Sequence, residues 1–418
     1  TWTNATSKQR PGLRVKTFLF DVNEYGDQNN ANTRRYANQF FMAAKYGGFE
    51  ADPSNLAGNP YNTKGNPFYR DDMTTVDKYV WEDTDTSSSR VGEANTYFLQ
   101  SDARGVLRAF DDIFARAATA ARSIAGSAIA SKSLTQVGST IYQGTFDTSN
   151  WTGDLLALPV TVDSSNVVTI GSTPTWSAAT ELSKKAPADR KIFVGNAGAT
   201  ANPVATPFTW AVDGIVASLR TALDKSPVTG ATDGLAEKRL NYLRGDPADE
   251  ATLFRRRNGK LLGDIVNSGV AYSGVPSASI SASNYASFYA TNKTRTAAVF
   301  VGANDGMLHA FSATSGEELF AYIPSWLGPK LPALTSPTYA NAHQNFADGT
   351  PAVAEAEVGS AWKTVLVAGT GGGGRGVFAL DVTNPASFDA GKVMWEFTQA
   401  DDADMGYVIG RPAILKLR

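Results

Sequence analysis

Apolar and polar residues follow two different periods along this chain, and the change comes near residue 130. Residues 14–22, RVKTFLFDV, alternate and then run apolar, which predicts a buried strand ending near Asp21. Residues 34–46, RRYANQFFMAAKY, place Tyr36, Phe40, Phe41, Ala44 and Lys45 at helical spacing, and Gly47-Gly48 stops that helix. Residues 50–95 are polar and rich in Pro, Gly and Asn, a long loop-like excursion. In 102–124, DARGVLRAFDDIFARAATAARSI, one face carries Leu107, Phe110, Phe114, Ala117, Ala121 and Ile124 behind a capping Asp102, which predicts a second helix. Strand, helix, loop and helix make residues 1–125 the end of an α/β domain.

Small residues (GSAIASKSLTQVGS) predict a linker over 126–140, and helical periodicity then largely disappears. Short apolar or alternating runs follow between turn signals: TIYQGTF, GDLLALPVTV, VVTIGS, RKIFVGN and FTWAV. Regularly punctuated short strands argue for a sandwich, barrel or propeller over 141–418. Residues 212–243 interrupt them with one or two helices around VDGIVASLRTAL and LAEKRLNYL.

An internal repeat narrows the choice. One copy runs AVFVGANDGMLHAF (298–311), GEELFAYIP (316–324) and DGTPAV (348–353); the second runs TVLVAGTGGGGRGVFALD (364–381), GKVMWEF (391–397) and IGRPAI (409–414). Each reads strand, Gly-rich turn, strand, Gly-bearing turn, aromatic-ended strand, then a Gly-x-Pro-Ala opening to the next strand. Val301 and Val367 stand 66 positions apart, against roughly 40–50 for a plain four-stranded blade, so the first copy carries an insertion within 325–347. Four antiparallel strands, repeated, describe a propeller blade, which must pack both faces against neighbours.

Gly369, Gly371 and Gly374 satisfy G-x-G-x-x-G behind a strand. A dinucleotide site needs its third glycine to open a helix whose N-terminal amides hold the pyrophosphate. Here RGVFALDV follows, short, apolar and ended by Asn384-Pro385, so the glycines read as a turn between two strands. Asn304-Asp305-Gly306 is a second hairpin signal.

Composition removes several chemistries. The 418 residues include no cysteine and two histidines, His309 and His343, which excludes thiol nucleophiles, thiolate zinc and multi-histidine metal sites. The net charge of −2 shows no basic stripe beyond Arg255, Arg256, Arg257 and Lys260, so a nucleic-acid partner is not expected. No apolar run reaches the ~18–20 residues of a membrane span. The chain begins at Thr1 and reads as processed or as a fragment. His309 alternates on a strand as a core or blade-face residue; His343, in the insertion, is the better surface candidate. Asp83-Thr-Asp85-Thr-Ser87 is similar to a metal-ion adhesion sequence but departs from it at position 85 and reads as a solvated loop. Asp401, Asp402 and Asp404 supply oxygen ligands of the kind calcium takes. Arg244-Gly245-Asp246 is an RGD tripeptide, open to an adhesive reading or to a structural turn.

These segments together resemble one family, the type IV pilus tip-associated adhesins and biogenesis factors (PilC/PilY). The residues that carry the resemblance are KYGGF (45–49), NYLRGDPADE (241–250), RRRNGKLLGDIVNS (255–268), VGANDGMLHAF (301–311), WKTVLVAGTGGGGRGVFALDV (362–382) and MWEFTQADDADMGYVIGRPAI (394–414). The resemblance implies the C-terminal part of an α/β von Willebrand A-like domain at 1–125, then a modified, quinoprotein-like β-propeller at 141–418. Two blades and further strand groups, ending on AILKLR, are too few to close a ring, so more sequence or another chain is expected to complete it. The family implies a non-enzymatic role in pilus assembly and extension at the pilus tip on the bacterial surface. Minor pilins and host-cell or abiotic surfaces are the implied partners. Calcium is implied for the family, in later blades or just upstream of the RGD, where this chain offers Asp224 and Asp233. VGANDGMLHAFSATSGEELF also resembles the repeat of quinone (PQQ)-dependent dehydrogenases, which keeps open an enzyme reading, and a periplasmic propeller scaffold is a third.

Overall fold

Strand alternation and helix caps account for the elements in a computed structural model that describes residues 17–23, 26–47, 81, 93–99, 122–129, 140–162, 168–196, 204–282 and 284–415. The chain divides into two units, Thr1–Ala120 and Ala121–Arg418.

In the first unit β1 (Leu19–Asp21) pairs in parallel with β2 (Tyr97–Leu99). The helix expected at 34–46 is two helices, α1 (Ala31–Ala37) and α2 (Gln39–Gly47), because Asn38 breaks it. The Asn38 side-chain oxygen accepts the Phe41 N–H at 3.0 Å, an N-cap that begins a new helix. Its amide donates to Asp21 at 2.6 Å, and Asp21 also accepts the Tyr97 hydroxyl at 2.7 Å. One asparagine therefore breaks the helix and ties it to both strands. Phe41 and Ala44 of α2 bury against Ala94 and Tyr97. Asp83–Ser87 and residues 102–121 of the second expected helix lie outside the described residues.

Residues 122–124, expected at the end of that helix, instead open a strand of the second unit. β3 (Arg122–Ile129) pairs with β4 (Thr140–Asp147) and takes the first four residues of the expected linker with it. β5 (Thr152–Val162), β6 (Val168–Ile170) and β7 (Trp176–Ser177) complete this sheet. Helix α3 (Ala178–Lys184) follows, capped by the Ser177 hydroxyl on the Thr180 N–H. Then come β8 (Ile192–Gly195) and β9 (Ala205–Pro207). FTWAV, expected as a strand, is a compact turn closed by the Ile215 N–H on the Thr209 carbonyl at 3.1 Å. Helices α4 (Ala217–Leu223) and α5 (Ala236–Arg244) stand where the interruption was expected.

The repeat forms two blades. β10 (Ala271–Ser273), β11 (Ala298–Gly302), β12 (Leu308–Ser312) and β13 (Glu318–Ile323) make an antiparallel meander, with a helix α6 (Tyr285–Asn292) between the first two strands. β8 extends this sheet by pairing in parallel with β13. The insertion is a run of 3-10 turns, Ser325–Thr335 and Tyr339–Asn341. β14 (Ala352–Val358), β15 (Ala361–Gly369), β16 (Gly376–Asp381) and β17 (Val393–Thr398) make the second blade. The second unit is thus a partial β-propeller. Alternation along β11 and β12 sends Phe300, Leu308 and Ala310 toward Leu366, Ala368 and Phe378 of the second blade. Val299, Val301 and Phe311 face the other way, onto Tyr142, Leu155 and Ala157 of β4 and β5. Of AILKLR (413–418), expected as a strand, residues 413–415 have no strand pairing and 416–418 lie outside the described residues; Ile409 and Leu415 are exposed. A strand exists only through its ladder, and among the described residues none lies beside this segment to supply one.

The glycine-rich segment is a turn. Gly371–Gly373 form a single 3-10 turn, and Gly369 pairs antiparallel with Val377 straight across it. A Cβ on Gly373 would stand 1.7 Å from the Phe346 carbonyl oxygen, so the close approach of the insertion requires glycine there. Gly373→Ala is therefore expected to destabilise the protein by ~3 kcal/mol or more, read as a lowered urea midpoint, while Gly359→Ala, at an open position, costs only the ~1 kcal/mol of its positive φ.

Candidate functional site

On β12, His309 shares the face of Phe311, and that face is sealed by the neighbouring sheet, so a polar ring there must find partners inside the protein. It finds two. Nδ1 lies 2.9 Å from Glu318 and Nε2 lies 3.1 Å from each oxygen of Asp305. Glu318, on the adjacent β13, also accepts a two-pronged bond from Arg190, both contacts at 2.8 Å. Asp305 further accepts the N–H groups of Gly263 and Met307 at 2.8 and 3.1 Å. Arg190 then donates to the Arg244 carbonyl at 3.0 Å, and Arg244 returns a 3.0 Å bond to the Arg190 carbonyl.

The charges close on themselves. Burial opposes the imidazolium, but Asp305 and Glu318 outweigh it and push the His309 pKa up to about 9. Burial likewise opposes both carboxylates, yet Arg190 and His309 hold Glu318 well below its usual value, and His309 chiefly holds Asp305 low. Two cations and two anions are thus stacked through one blade.

A second network joins three loop segments. The Asp348 carboxylate accepts the N–H groups of Val266, Asn267 and Ser268 at 2.9 to 3.1 Å; burial nonetheless raises its pKa. Asn304 donates to Asp264 at 2.7 Å and accepts the Phe346 N–H at 2.7 Å. His343 bonds Asp264 at 2.9 Å and stacks on Trp151 with ring centres 3.7 Å apart. His343, the surface candidate, is therefore tied to a buried acid. Sequence reasoning missed Arg190, Asp264, Glu318 and Asp348. All four lay in quoted segments, Asp264 and Asp348 beside glycines, but no spacing links them.

The RGD tripeptide sits at the end of α5. Gly245 holds φ 116° as the helix C-cap. The Arg244 guanidinium is buried and donates to the carbonyls of Phe208 at 2.9 Å, Pro187 at 2.7 Å and Arg190. Asp246 is partly exposed, and one of its oxygens caps the Ala248 N–H at 2.9 Å. The three residues are not presented together. Asp401 turns back onto Thr398 at 2.8 Å and Asp402 accepts the Asp404 N–H at 3.0 Å. Asp233 is taken by Arg239, at 2.7 Å to one oxygen. Among the described residues no group of three or more His, Asp or Glu side chains is arranged to hold a metal ion. Nor is any described helix long and apolar enough to cross a membrane.

Beside Asp305 lies a cavity of about 20 Å³, room for one water-sized occupant. A larger open groove of about 550 Å³ is lined by hydroxyls, among them Thr145, Thr152, Ser172, Ser177 and Thr180, and by Lys260.

Comparison with known proteins adds a family. The family model described as the PilY1 beta-propeller domain matches residues 262–418. A type IV pilus biogenesis factor PilY1 homolog of Xylella fastidiosa is 32% identical over 98% of this chain and 31% of its own length. Type IV pilus biogenesis factor PilY1 of Pseudomonas aeruginosa is 38% identical over 66% of this chain and 24% of its own. The chain thus spans about a third or less of these relatives. The crystal structure of the Pseudomonas aeruginosa PilY1 C-terminal domain is 40% identical over 35% of this chain and 29% of that one, with a TM-score of 0.29.

The buried charges set a pH dependence. The His309 pKa is higher folded than unfolded, so its contribution is full below about pH 6.5 and is lost as pH rises through about 9. Asp305 and Glu318, held low, contribute above their unfolded values and lose that contribution as pH falls. Urea unfolding between pH 6 and pH 9.5 should therefore show stability falling by up to ~3 kcal/mol, and His309→Gln should flatten that limb. An equal decline in the variant would remove His309 as its source.

Proposed function

Residues 262–418 carry the β-propeller domain of the PilY1 family, and from that premise we propose that this chain serves type IV pilus biogenesis as a non-enzymatic assembly and extension factor. Its place in this reading is the pilus tip, outside the cell, with minor pilins and a host-cell or abiotic surface as partners. The observation that carries the proposal is the coincidence of the matched segment with two blades whose buried acids are occupied internally. Asp305 and Asp348 spend their oxygens on His309 and on backbone N–H groups. The cavity beside Asp305 is too small for a quinone cofactor, so the dehydrogenase reading gains no support from it. Binding through an open polar face needs about 800 Å² per partner and no deep pocket. We further propose the first unit, Thr1–Ala120, as the C-terminal part of a von Willebrand A-like domain, supported by the parallel pairing of β1 and β2 beside α1 and α2.

Deleting the gene tests the role directly. Surface pili counted by electron microscopy should fall sharply and return on complementation; undiminished pili would refute it. Adhesion is expected not to run through the intact tripeptide. Arg244→Ala should destabilise the fold by on the order of 2–4 kcal/mol, whereas Asp246→Ala should cost no more than ~1 kcal/mol and leave surface attachment unchanged. Loss of attachment in a stably folded Asp246→Ala protein would restore the adhesive reading.

A further inference from the structure

An asparagine or aspartate can react with its own main chain when the N–H of the next residue is free to reach its side-chain γ-carbon. Glycine obstructs that approach least, because it carries no Cβ. The chain has five such steps, Asp213-Gly214, Asp233-Gly234, Asn258-Gly259, Asp305-Gly306 and Asp348-Gly349. Four are engaged. Arg239 holds the Asp233 carboxylate, His309 that of Asp305, and backbone N–H groups that of Asp348. The Gly214 N–H is spent on the Ala211 carbonyl at 3.1 Å. Asn267-Ser268 is engaged too, since the Asn267 side-chain amide and the Ser268 N–H both donate to Asp348 at 2.9 Å.

Asn258-Gly259 differs. It is the tip of a two-residue turn closed by the Lys260 N–H on the Arg257 carbonyl at 3.1 Å, with φ 54° at Asn258 and 76° at Gly259. Both residues are exposed, and a Cβ on Gly259 would meet nothing within 4 Å. Among the described residues neither the Asn258 side-chain amide nor the Gly259 N–H has a hydrogen-bond partner. The base of the turn is fixed while its tip is open. Arg257 grips Glu250 at 2.7 Å and the Tyr242 and Asp246 carbonyls at 2.7 and 3.1 Å, and beyond the tip the Leu262 carbonyl accepts the Gly153 N–H at 3.0 Å.

We propose that Asn258 is a self-modification site, which loses its side-chain amide through attack by the Gly259 nitrogen, with water as the only co-reactant. The Gly259 nitrogen gives its proton to hydroxide and bonds to the Asn258 γ-carbon. The side-chain nitrogen takes up a proton and leaves as ammonia, and a five-membered succinimide closes. Water then adds to either ring carbonyl and breaks its bond to nitrogen, leaving an aspartyl or an isoaspartyl residue at position 258. Nothing is oxidised or reduced. Either product places one new negative charge beside Lys260, in the lining of the open groove that Asn258, Gly259 and Lys260 share with the hydroxyls. The isoaspartyl form also routes the main chain through the former side chain, which lengthens the turn by one atom between its two fixed ends. The site stands independently of any role in pilus assembly.

The test ages the whole 418-residue chain, folded, in mildly alkaline buffer. Each asparagine-bearing peptide is then followed by mass spectrometry after digestion, and isoaspartate is counted by enzymatic methylation. The peptide holding Asn258 should gain one mass unit at least about tenfold faster than those holding Asn267 or Asn304, with ammonia released in equal amount and isoaspartate present. Gly259→Ala should slow the gain by about tenfold, because a Cβ shields the attacking nitrogen. Asn258→Gln, whose longer side chain must close a six-membered ring, should stay unmodified at that position over the same period. Both substitutions fall at an exposed turn tip, so neither puts the fold at risk. An unchanged mass at position 258 in the parent, a gain that begins first at Asn267, or an undiminished rate in Gly259→Ala would each overturn the proposal.

Discussion

The structure depends on one constraint: a blade covered on both faces leaves no water for a polar side chain on either. His309 occupies such a position on β12, where every backbone neighbour is buried. Its two ring nitrogens must therefore be satisfied from within, and once Glu318 does so on one side, Glu318 itself requires a cation. Arg190 supplies it from a segment 128 residues earlier. That requirement explains why β8, directly after Arg190, adds in parallel to the outer edge of β13. It also explains Arg244, whose position at the end of α5 lets each arginine bond the other's carbonyl. The charge chain thus runs from a blade strand out to the inserted helices.

Such a chain is weak evidence for stability as such, because desolvation consumes much of the Coulombic gain. Its effect is on specificity. A one-residue slip of β12 against β13 would carry His309 to the face lined by Phe300 and Phe320, away from both acids. The network therefore penalises the wrong register far more than it rewards the right one. The second network acts on the loops in the same manner: Asp348, Asn304 and Asp264 fasten 264–268, the β11–β12 turn and the end of the insertion to one another.

Local order was legible in the sequence, and distant pairing was not. The repeat, the turn at Gly371–Gly373, the insertion and the buried state of His309 all follow from period-2 alternation and turn residues, which act within a few positions. Two helices were missed. α6 contains Tyr285, Phe288 and Tyr289 but no clear apolar stripe, and it is held by Tyr285 packing edge-on to Trp362 rather than by its own pattern. α3 depends on the cap at Ser177 and on Leu182 reaching a distant core. The end of the 102–124 helical pattern reads well locally, yet 122–124 joins a ladder with β4, where tertiary pairing overrides propensity. For the same reason Arg244 could be read as an adhesive residue: nothing within LRGDPADE reveals that four carbonyls from residues 187–208 surround its guanidinium.

The second blade shows the same physics with its signs reversed. Along β17, Glu396 points inward, where it accepts the Tyr322 hydroxyl at 2.6 Å and the Ser325 N–H at 2.8 Å, while Trp395 and Phe397 on the alternate positions are each 37% exposed. An acid turned in and two aromatics turned out is the opposite of a strand with one wet face. It is the pattern of a strand built for cover on both sides, of which the described residues provide one. The inward acid is tolerated because Gly195 leaves room for it: a Cβ there would stand 2.2 Å from the carboxylate. Burial raises the Glu396 pKa, against the Tyr322 hydroxyl and the Ser325 donors, which favour the carboxylate. The first blade thus satisfies its buried acids chiefly with cations, and the second holds its own with neutral hydrogen-bond donors.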